Sequence, residues 1–134
     1  MKEGLLHALA LCGDAREVLP RMGPDGALSK VFLHFPDPWW KKRHAKRRVI
    51  DEGFLVQLGR LLAKGGALFV QTDVEERLEA YEAQIAAHGA FEPAGDAPGS
   101  ARVDDHAFVA RSPREHRAIA DGIPIYRVLF RRRA

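Results

Sequence analysis

The sequence predicts an α/β fold built around a mostly parallel sheet. Two nearly unbroken apolar runs, ALSKVFLHF at 27–35 and ALFVQT at 67–72, have the length and composition of buried strands. An amphipathic helical pattern follows each of them. A chain of 134 residues is long enough for one hydrophobic core without disulfides, so we expect 1–134 to form a single domain.

The first predicted elements lie before Pro36. Ala8 to Cys12 is compatible with a short strand, and Ala15 to Leu19 with a helical turn behind it. Asp14 would then lie at the carboxyl end of that strand. The run 27–35 predicts a longer strand that ends at Pro36, because proline has no N–H to donate to a sheet.

The middle of the chain predicts two helices, one before and one after the second strand in the sequence. The first helix is indicated by a one-faced apolar stripe of Phe54, Leu55, Leu58, Leu61 and Leu62. Lys64-Gly65-Gly66 is expected to end this helix, with a glycine as the left-handed cap. The second helix is indicated by Val74, Leu78, Tyr81 and Ile85, and it is expected to end near Gly89.

The C-terminal third predicts loops and a pair of strands. Prolines, glycines and acids dominate from Glu92 to Asp105, which is typical of a loop. The segments 106–111 and 124–132 are rich in β-forming residues and are expected to pair antiparallel along one edge of the sheet. The polar residues between them, at 111–124, are interpreted as a loop.

The charge is concentrated in one place. Six of the 21 Lys and Arg residues lie between Lys41 and Arg48, without an acid among them, and the remaining 15 face 18 acids. Such a basic stretch indicates a local polyanion contact, although a solvated basic run is an equal alternative. The single Cys12 excludes a disulfide framework and fits a reducing cytoplasm. No apolar run reaches the roughly 20 residues of a membrane span, and no Cys and His set has zinc-ligand spacing.

Two carboxylates follow the two predicted strands. Asp37 stands between Pro36 and Pro38, which stiffen the turn, and Asp73 comes directly after the second strand. Because ligands bind beyond the carboxyl ends of parallel strands, we expect both acids at one rim of the sheet. The alternative for Asp37 is a solvated acid in a proline-framed turn.

The stretch FPDPWWKKRHAKRR, at 35–48, resembles the signature F-P-D-P-W-x-K-x-R-H-x-K-R-R of the bacterial TrmB-type tRNA (guanine-N7-)-methyltransferases. The resemblance extends from Gly13-Asp14 through GGALFVQTD to the terminal GIPIYRVLF. It implies a Rossmann-like class I fold, S-adenosyl-L-methionine as cofactor, and methylation of N7 of a guanine in the variable loop of tRNA.

The resemblance also implies roles for individual residues. Asp14 matches a cofactor contact, and Asp37 matches the acid at the reaction centre that touches cofactor and base. Lys41 and Asp73 match substrate contacts. The tRNA-binding stretch corresponds to Arg43, His44, Ala45, Lys46, Arg47 and Arg48. The family's substrate-binding T-x-F/Y-E segment corresponds to Ser112, Pro113, Arg114 and Glu115, with an arginine in the place of the aromatic residue.

Family members carry earlier strands with a Gly-rich turn and an acid for the cofactor ribose, and these are not found in the sequence. We therefore expect the C-terminal portion of the methyltransferase fold, lacking the N-terminal strands. Two alternatives to an active enzyme stay open. One is a non-catalytic tRNA-binding module, and the other is a half-enzyme completed by another chain or by self-association at the exposed sheet edge.

Overall fold

The computed structural model describes residues 7–36, 50–106 and 110–134. These ranges form five strands and four α-helices. The helices are α1 (Ala15–Val18, continued by a 3-10 turn at Leu19–Arg21), α2 (Glu52–Leu61), α3 (Glu75–His88) and α4 (Pro113–Ala120). The strands are β1 (Leu28–His34), β2 (Leu62–Thr72), β3 (Phe91–Pro93), β4 (Arg102–Val103) and β5 (Tyr126–Arg132).

The strands form one mixed sheet in the order β1-β2-β5-β3, and β4 also pairs with β5. The α/β class is confirmed. The expectation of a mostly parallel sheet is wrong for the described residues, because only β1 and β2 run parallel and every pairing of β5 is antiparallel. Within the described ranges β1 has a paired neighbour on one side only.

The core lies between the sheet and the helices α2 and α3. Leu68 and Val70 point from β2 into this core, where they meet Leu55 of α2 and Leu78 of α3. Phe69 points to the opposite face, where its ring contacts residues of β1 and the loop after β4. Both faces of β2 are therefore buried, which explains why its sequence is apolar without alternation.

The junction between α2 and β2 differs from the prediction. The helix ends at Leu61, and Leu62 is already extended and begins the strand, so Gly65 and Gly66 do not cap the helix. Gly65 has φ +77° within a bulge, where the register shifts between Leu28 and Lys30 of β1. A Cβ at Gly66 would lie 2.8 Å from the Ala63 carbonyl oxygen, so these glycines serve a tight bulge.

The C-terminal third is more ordered than predicted. The segment expected to be a loop from Glu92 to Asp105 contributes strands β3 and β4, both paired with β5. The described residues of the expected strand 106–111 are not in a strand, and its residues 107–109 lie outside the described ranges. Strand β5 is confirmed, but it lies inside the sheet between β2 and β3.

Two further predictions concern the end of a helix and the first segment. The helix α3 ends at His88, and Gly89 with φ 85° is the expected left-handed cap. Ala8 to Cys12 is not a strand, whereas the helical turn at Ala15 is confirmed as α1. In the described part of the chain, no helix is long and apolar enough to cross a membrane.

Candidate functional site

The carboxyl ends of β1 and β2 form the rim of the candidate site. His34 is in register with Gln71, and the Phe35 N–H donates to the Gln71 carbonyl oxygen at 2.7 Å. Pro36 and Asp73 therefore both follow the ends of two paired strands. Asp37, one residue beyond Pro36, lies outside the described residues, so its meeting with Asp73 stays a prediction.

The chain turns sharply where β1 ends. Phe35 is buried and has φ 49°, a left-handed conformation that is uncommon for a residue with a Cβ and that costs about 1–3 kcal/mol. The Tyr81 hydroxyl of α3 donates to the Pro36 carbonyl oxygen at 3.3 Å. The backbone that leads into Asp37 is thus held by β2 on one side and by α3 on the other.

Arg114 of α4 connects the ends of the two strands. Its Nη2 donates to Asp73 Oδ2 at 3.1 Å, and its guanidinium carbon lies 5.1 Å from the centre of the Phe35 ring. The Arg114 side chain is 53% exposed and the Asp73 side chain 21% exposed, so the pair is open to solvent. The arginine that replaces the expected aromatic residue therefore contacts both a ring and an acid at the rim.

The segment containing Ser112 and Pro113 was expected to be a loop, but it forms the start of α4. Ser112 is the N-cap, and its Oγ accepts a hydrogen bond from the Glu115 N–H at 3.2 Å. Pro113 occupies the first helical turn, where a missing N–H costs nothing. The order Ser-Pro-x-Glu is that of a capping box and was the sequence signal for this helix.

Glu115, the residue after Arg114, lies in a buried polar network behind the rim. Its side chain is 0% exposed. The carboxylate accepts hydrogen bonds from four side chains, those of Gln71, His106, Arg111 and Arg127, at 2.6–3.2 Å. These donors come from β2, β5 and the segment before α4, so the network fixes the helix to the sheet.

The network extends from Arg127 to the end of β1. Arg127 Nε donates to Gln71 Oε1 at 3.1 Å, and its Nη1 donates to the Asp104 carbonyl oxygen at 2.6 Å. Gln71 Nε2 in turn donates to His34 Nδ1 at 2.8 Å. None of these residues except Glu115 was predicted as functional, because they are far apart in sequence and belong to no motif.

The network determines the charge of its acids. Burial acts to raise the pKa of Glu115, but hydrogen bonds from His106, Gln71, Arg127 and Arg111 outweigh it and lower the pKa to about 2. The hydrogen bond from Arg111 similarly lowers the pKa of Asp105 to about 2. Burial lowers the pKa of His34, which therefore favours the neutral imidazole.

Three residues of this region have the spacing of metal ligands. One ligand atom from each of Asp105, His106 and Glu115 lies within 4.8 Å of the others. Arg111 contacts both acids, and Arg127 also contacts Glu115. Because two guanidinium groups already share the oxygens that a cation would need, the electrostatics of this cluster disfavour a metal ion.

Asp14, the predicted cofactor contact, is the N-cap of α1. Its Oδ1 accepts a hydrogen bond from the Arg16 N–H at 2.9 Å, and the Arg16 guanidinium lies 3.3 Å from Oδ2. These hydrogen bonds lower the pKa of Asp14 and keep it ionised. An exposed, oriented carboxylate fits one polar contact to S-adenosyl-L-methionine, and no contact joins Asp14 to Asp73 in the described part of the chain.

The remaining predicted residues belong to the segment between Pro36 and Ile50. Lys41 and the predicted tRNA-binding stretch lie outside the described residues. This stretch consists of Arg43, His44, Ala45, Lys46, Arg47 and Arg48. The structure thus brings together Asp73, Arg114 and the backbone entering Asp37, with Ser112, Pro113 and Glu115 supporting them from α4.

Solved structures with the same fold include a "Putative DNA Modification Methylase" from Thermus thermophilus. The TM-score is 0.54 at 17% sequence identity, over 91% of this chain and 52% of the other. A second structure of that protein, complexed with S-adenosyl-L-methionine, matches with a TM-score of 0.53 and covers the same shares. At this identity the likeness shows the fold alone, and this fold is consistent with the predicted class I methyltransferase fold.

Curated relatives share more of the sequence. A tRNA (guanine-N(7)-)-methyltransferase of Myxococcus xanthus is 39% identical over 94% of this chain and 60% of its own length. Proteins of the same name from Rhodopirellula baltica and Anaeromyxobacter dehalogenans are 39% and 38% identical, and the chain covers 49% and 62% of them. The chain thus spans about half to three fifths of the length of these relatives.

A sequence model of a family described as "Putative methyltransferase" matches residues 2–128, which is nearly the whole chain. The resemblance inferred from FPDPWWKKRHAKRR is confirmed by this match together with the curated relatives. The chain belongs to this methyltransferase family.

Proposed function

We propose that the protein takes part in methylating N7 of a guanine in tRNA to 7-methylguanosine, in the cytoplasm, with S-adenosyl-L-methionine as methyl donor. The observation that carries this proposal is the meeting of Asp73, Arg114 and Phe35 where β1 and β2 end. The names of the curated relatives support the substrate. The basic stretch between Lys41 and Arg48 supports a polyanionic partner.

The chemistry requires alignment more than proton transfer. Guanine N7 has a free lone pair and no proton, so a bond can form from N7 to the methyl carbon while the sulfur–methyl bond breaks. The positive charge of the sulfonium then passes to the purine. Fixed negative charge beside the purine stabilises this change, and no general base is needed. When bound, S-adenosyl-L-methionine supplies the activated methyl group.

The residues of this chain have complementary roles in the proposal. Asp37 orients the guanine through its N–H edge and balances the developing charge. Asp73 adds a second carboxylate, which Arg114 orients through a hydrogen bond of 3.1 Å. Asp14 provides one acceptor for the cofactor, from the N-terminus of α1. Lys41 and the residues from Arg43 to Arg48 hold the tRNA backbone.

Replacement of Asp37 tests the proposal. In a methyl-transfer assay with tRNA, Asp37→Asn is expected to lower kcat about 100-fold or more, as the loss of an electrostatic group at a reacting centre does. Lys64→Gln is the control, because Lys64 is exposed at the opposite end of β2. A fully active Asp37→Asn variant would contradict the orienting role, and a wild-type chain that binds neither tRNA nor cofactor would contradict the function.

The edge of the sheet at β1 supports the alternative of a half-enzyme that a second chain completes. Within the described residues β2 is the strand that pairs with β1, and Phe32 of β1 is 40% exposed. An open edge with an apolar side chain is a site for strand addition or self-association. Sedimentation across a concentration series is expected to detect dimers if this edge is used, whereas a monomer that binds cofactor by calorimetry would exclude the need for it.

A further inference from the structure

A cleft of about 350 Å³ opens beside the Arg114–Asp73 pair. It lies between the end of β2 and the helix α4 with the turn that follows it. Its walls are formed by Asp73, Pro113, Arg114, Arg117, Ala118, Asp121 and Ile123. Arg117, Asp121 and Ile123 belong to no predicted site, so the cleft extends the rim in a direction that no motif indicates.

The two arginines of the cleft differ in their partners. Arg114 is neutralised by Asp73 at 3.1 Å. Arg117 is exposed, and no acid of the described ranges forms an ion pair with it. Because Arg114 and Arg117 are three residues apart on α4, they lie on the same face of the helix. The cleft therefore presents one arginine that forms no ion pair within the described part of the chain, next to the predicted base-binding residues.

The other walls offer apolar surface and a hydrogen-bond acceptor. Ile123 is 43% exposed and lies with Pro113 and Ala118 along the cleft. Asp121 is exposed and is the C-cap of α4. A nucleotide can contact all three features of the cleft. Its phosphate can bind the arginine, its flat base can pack on the apolar wall, and its 2′-hydroxyl can donate to the carboxylate.

We propose that this cleft binds a nucleotide that flanks the reacting guanosine in the RNA substrate, with its phosphate on Arg117 and its base against Ile123. This inference rests on the proposed function, because it takes Asp73 as the neighbouring contact of the guanine. Arg117 then contributes to the affinity for RNA outside the basic stretch between Lys41 and Arg48.

The test compares Arg117→Ala with Lys64→Ala, which removes one exposed positive charge at the opposite end of β2. Affinity for tRNA is measured between about 50 and 300 mM salt. Arg117→Ala is expected to weaken binding about threefold to tenfold at low salt and to reduce the slope of log K against log salt by about 0.7–0.9, the loss of one phosphate contact. Lys64→Ala is expected to keep the wild-type slope.

Two further variants separate charge from packing. Arg117→Lys retains the charge and is expected to keep the slope, whereas Ile123→Ser is expected to weaken binding without changing the slope. Thermal unfolding verifies that each variant is folded.

The possible failures are distinguishable. Wild-type affinity for tRNA with equal slopes for Arg117→Ala and Lys64→Ala would overturn the cleft and leave the proposed function intact. A wild-type chain without affinity for tRNA would overturn both. Preference of the cleft for an acidic peptide over RNA, abolished by Arg117→Ala, would assign the cleft to a protein partner and also overturn the inference.

Discussion

Arg114 and Glu115 are consecutive residues of α4, but their environments are opposite. Glu115 is fully buried and shared among four donors, two of them arginines. Arg114 is half exposed, with one acid and one ring as partners. The buried group has no vacant acceptor position and serves to hold the helix, whereas the rim pair can exchange its partners with solvent or with a ligand.

Breaking the ion pairs therefore costs different amounts of free energy in the two regions. A buried carboxylate between arginines is stable only while every partner is present, because each unpaired charge would be left without water. An exposed ion pair loses little when it opens, because water replaces the partner. Arg114 can therefore separate from Asp73 without unfolding α4, which the Glu115 network keeps in place.

Removing the charge of Glu115 has the largest expected effect. Glu115→Gln should lower the free energy of unfolding by about 3–5 kcal/mol, because Arg111 and Arg127 lose their shared counter-ion. The measurement is urea unfolding followed by circular dichroism. Glu79→Gln, on the exposed side of α3, is the control and should change stability by less than about 0.5 kcal/mol. A loss below about 1 kcal/mol for Glu115→Gln would contradict the distinction between the regions.

Acid should affect the same network in the wild-type protein. The ordinary pKa of a glutamate, 4.5, applies to the unfolded chain, whereas the folded protein holds the pKa of Glu115 at about 2. Its contribution to stability is complete above about pH 5 and is lost as the pH falls towards 2, because only the unfolded chain then gains the proton. Asp105, also with a pKa of about 2, acts in the same direction.

Urea unfolding at pH 6, 4 and 3 measures this loss. Arg111→Gln removes a donor from both acids, so it should flatten the dependence on pH. The control Lys64→Gln should retain the wild-type dependence. If the free energy of unfolding falls equally with pH in the wild type and in Arg111→Gln, the network does not govern stability in acid.

The buried network and the rim also differ in how far the sequence predicts them. The strands β1, β2 and β5 and the helices α2 and α3 follow from local patterns, since burial on one or both faces leaves a periodic trace in the sequence. The positions of Asp73 and the end of β1 follow from the rule that sites lie beyond parallel strands. The partners of Glu115 leave no such trace, because Gln71 and Arg127 are 56 residues apart and meet only through the antiparallel register of β2 and β5.

The predictions were wrong where one local sequence pattern fits two different structures. Glycines at 65–66 fit a helix cap and a strand bulge equally well, and the register of β1 with β2 decides for the bulge. The prolines and glycines after Phe91 indicated a loop, but β5 supplies partners for strands as short as two residues. The capping box that begins at Ser112 is present in the sequence, but the charged residues around it favoured the interpretation as a loop.

The smallest effect is expected at the rim. A double-mutant cycle with Arg114→Ala and Asp73→Asn should give a coupling energy below about 1 kcal/mol, because the pair is exposed and screened by water. Arg114→Tyr introduces the aromatic type found in the related signature, and it should preserve stability by packing on Phe35. The measurement is again urea unfolding, with the salt concentration raised to screen the pair. A coupling above about 2 kcal/mol would mean that the rim is as rigid as the network behind it, and ligand entry would then require α4 itself to move.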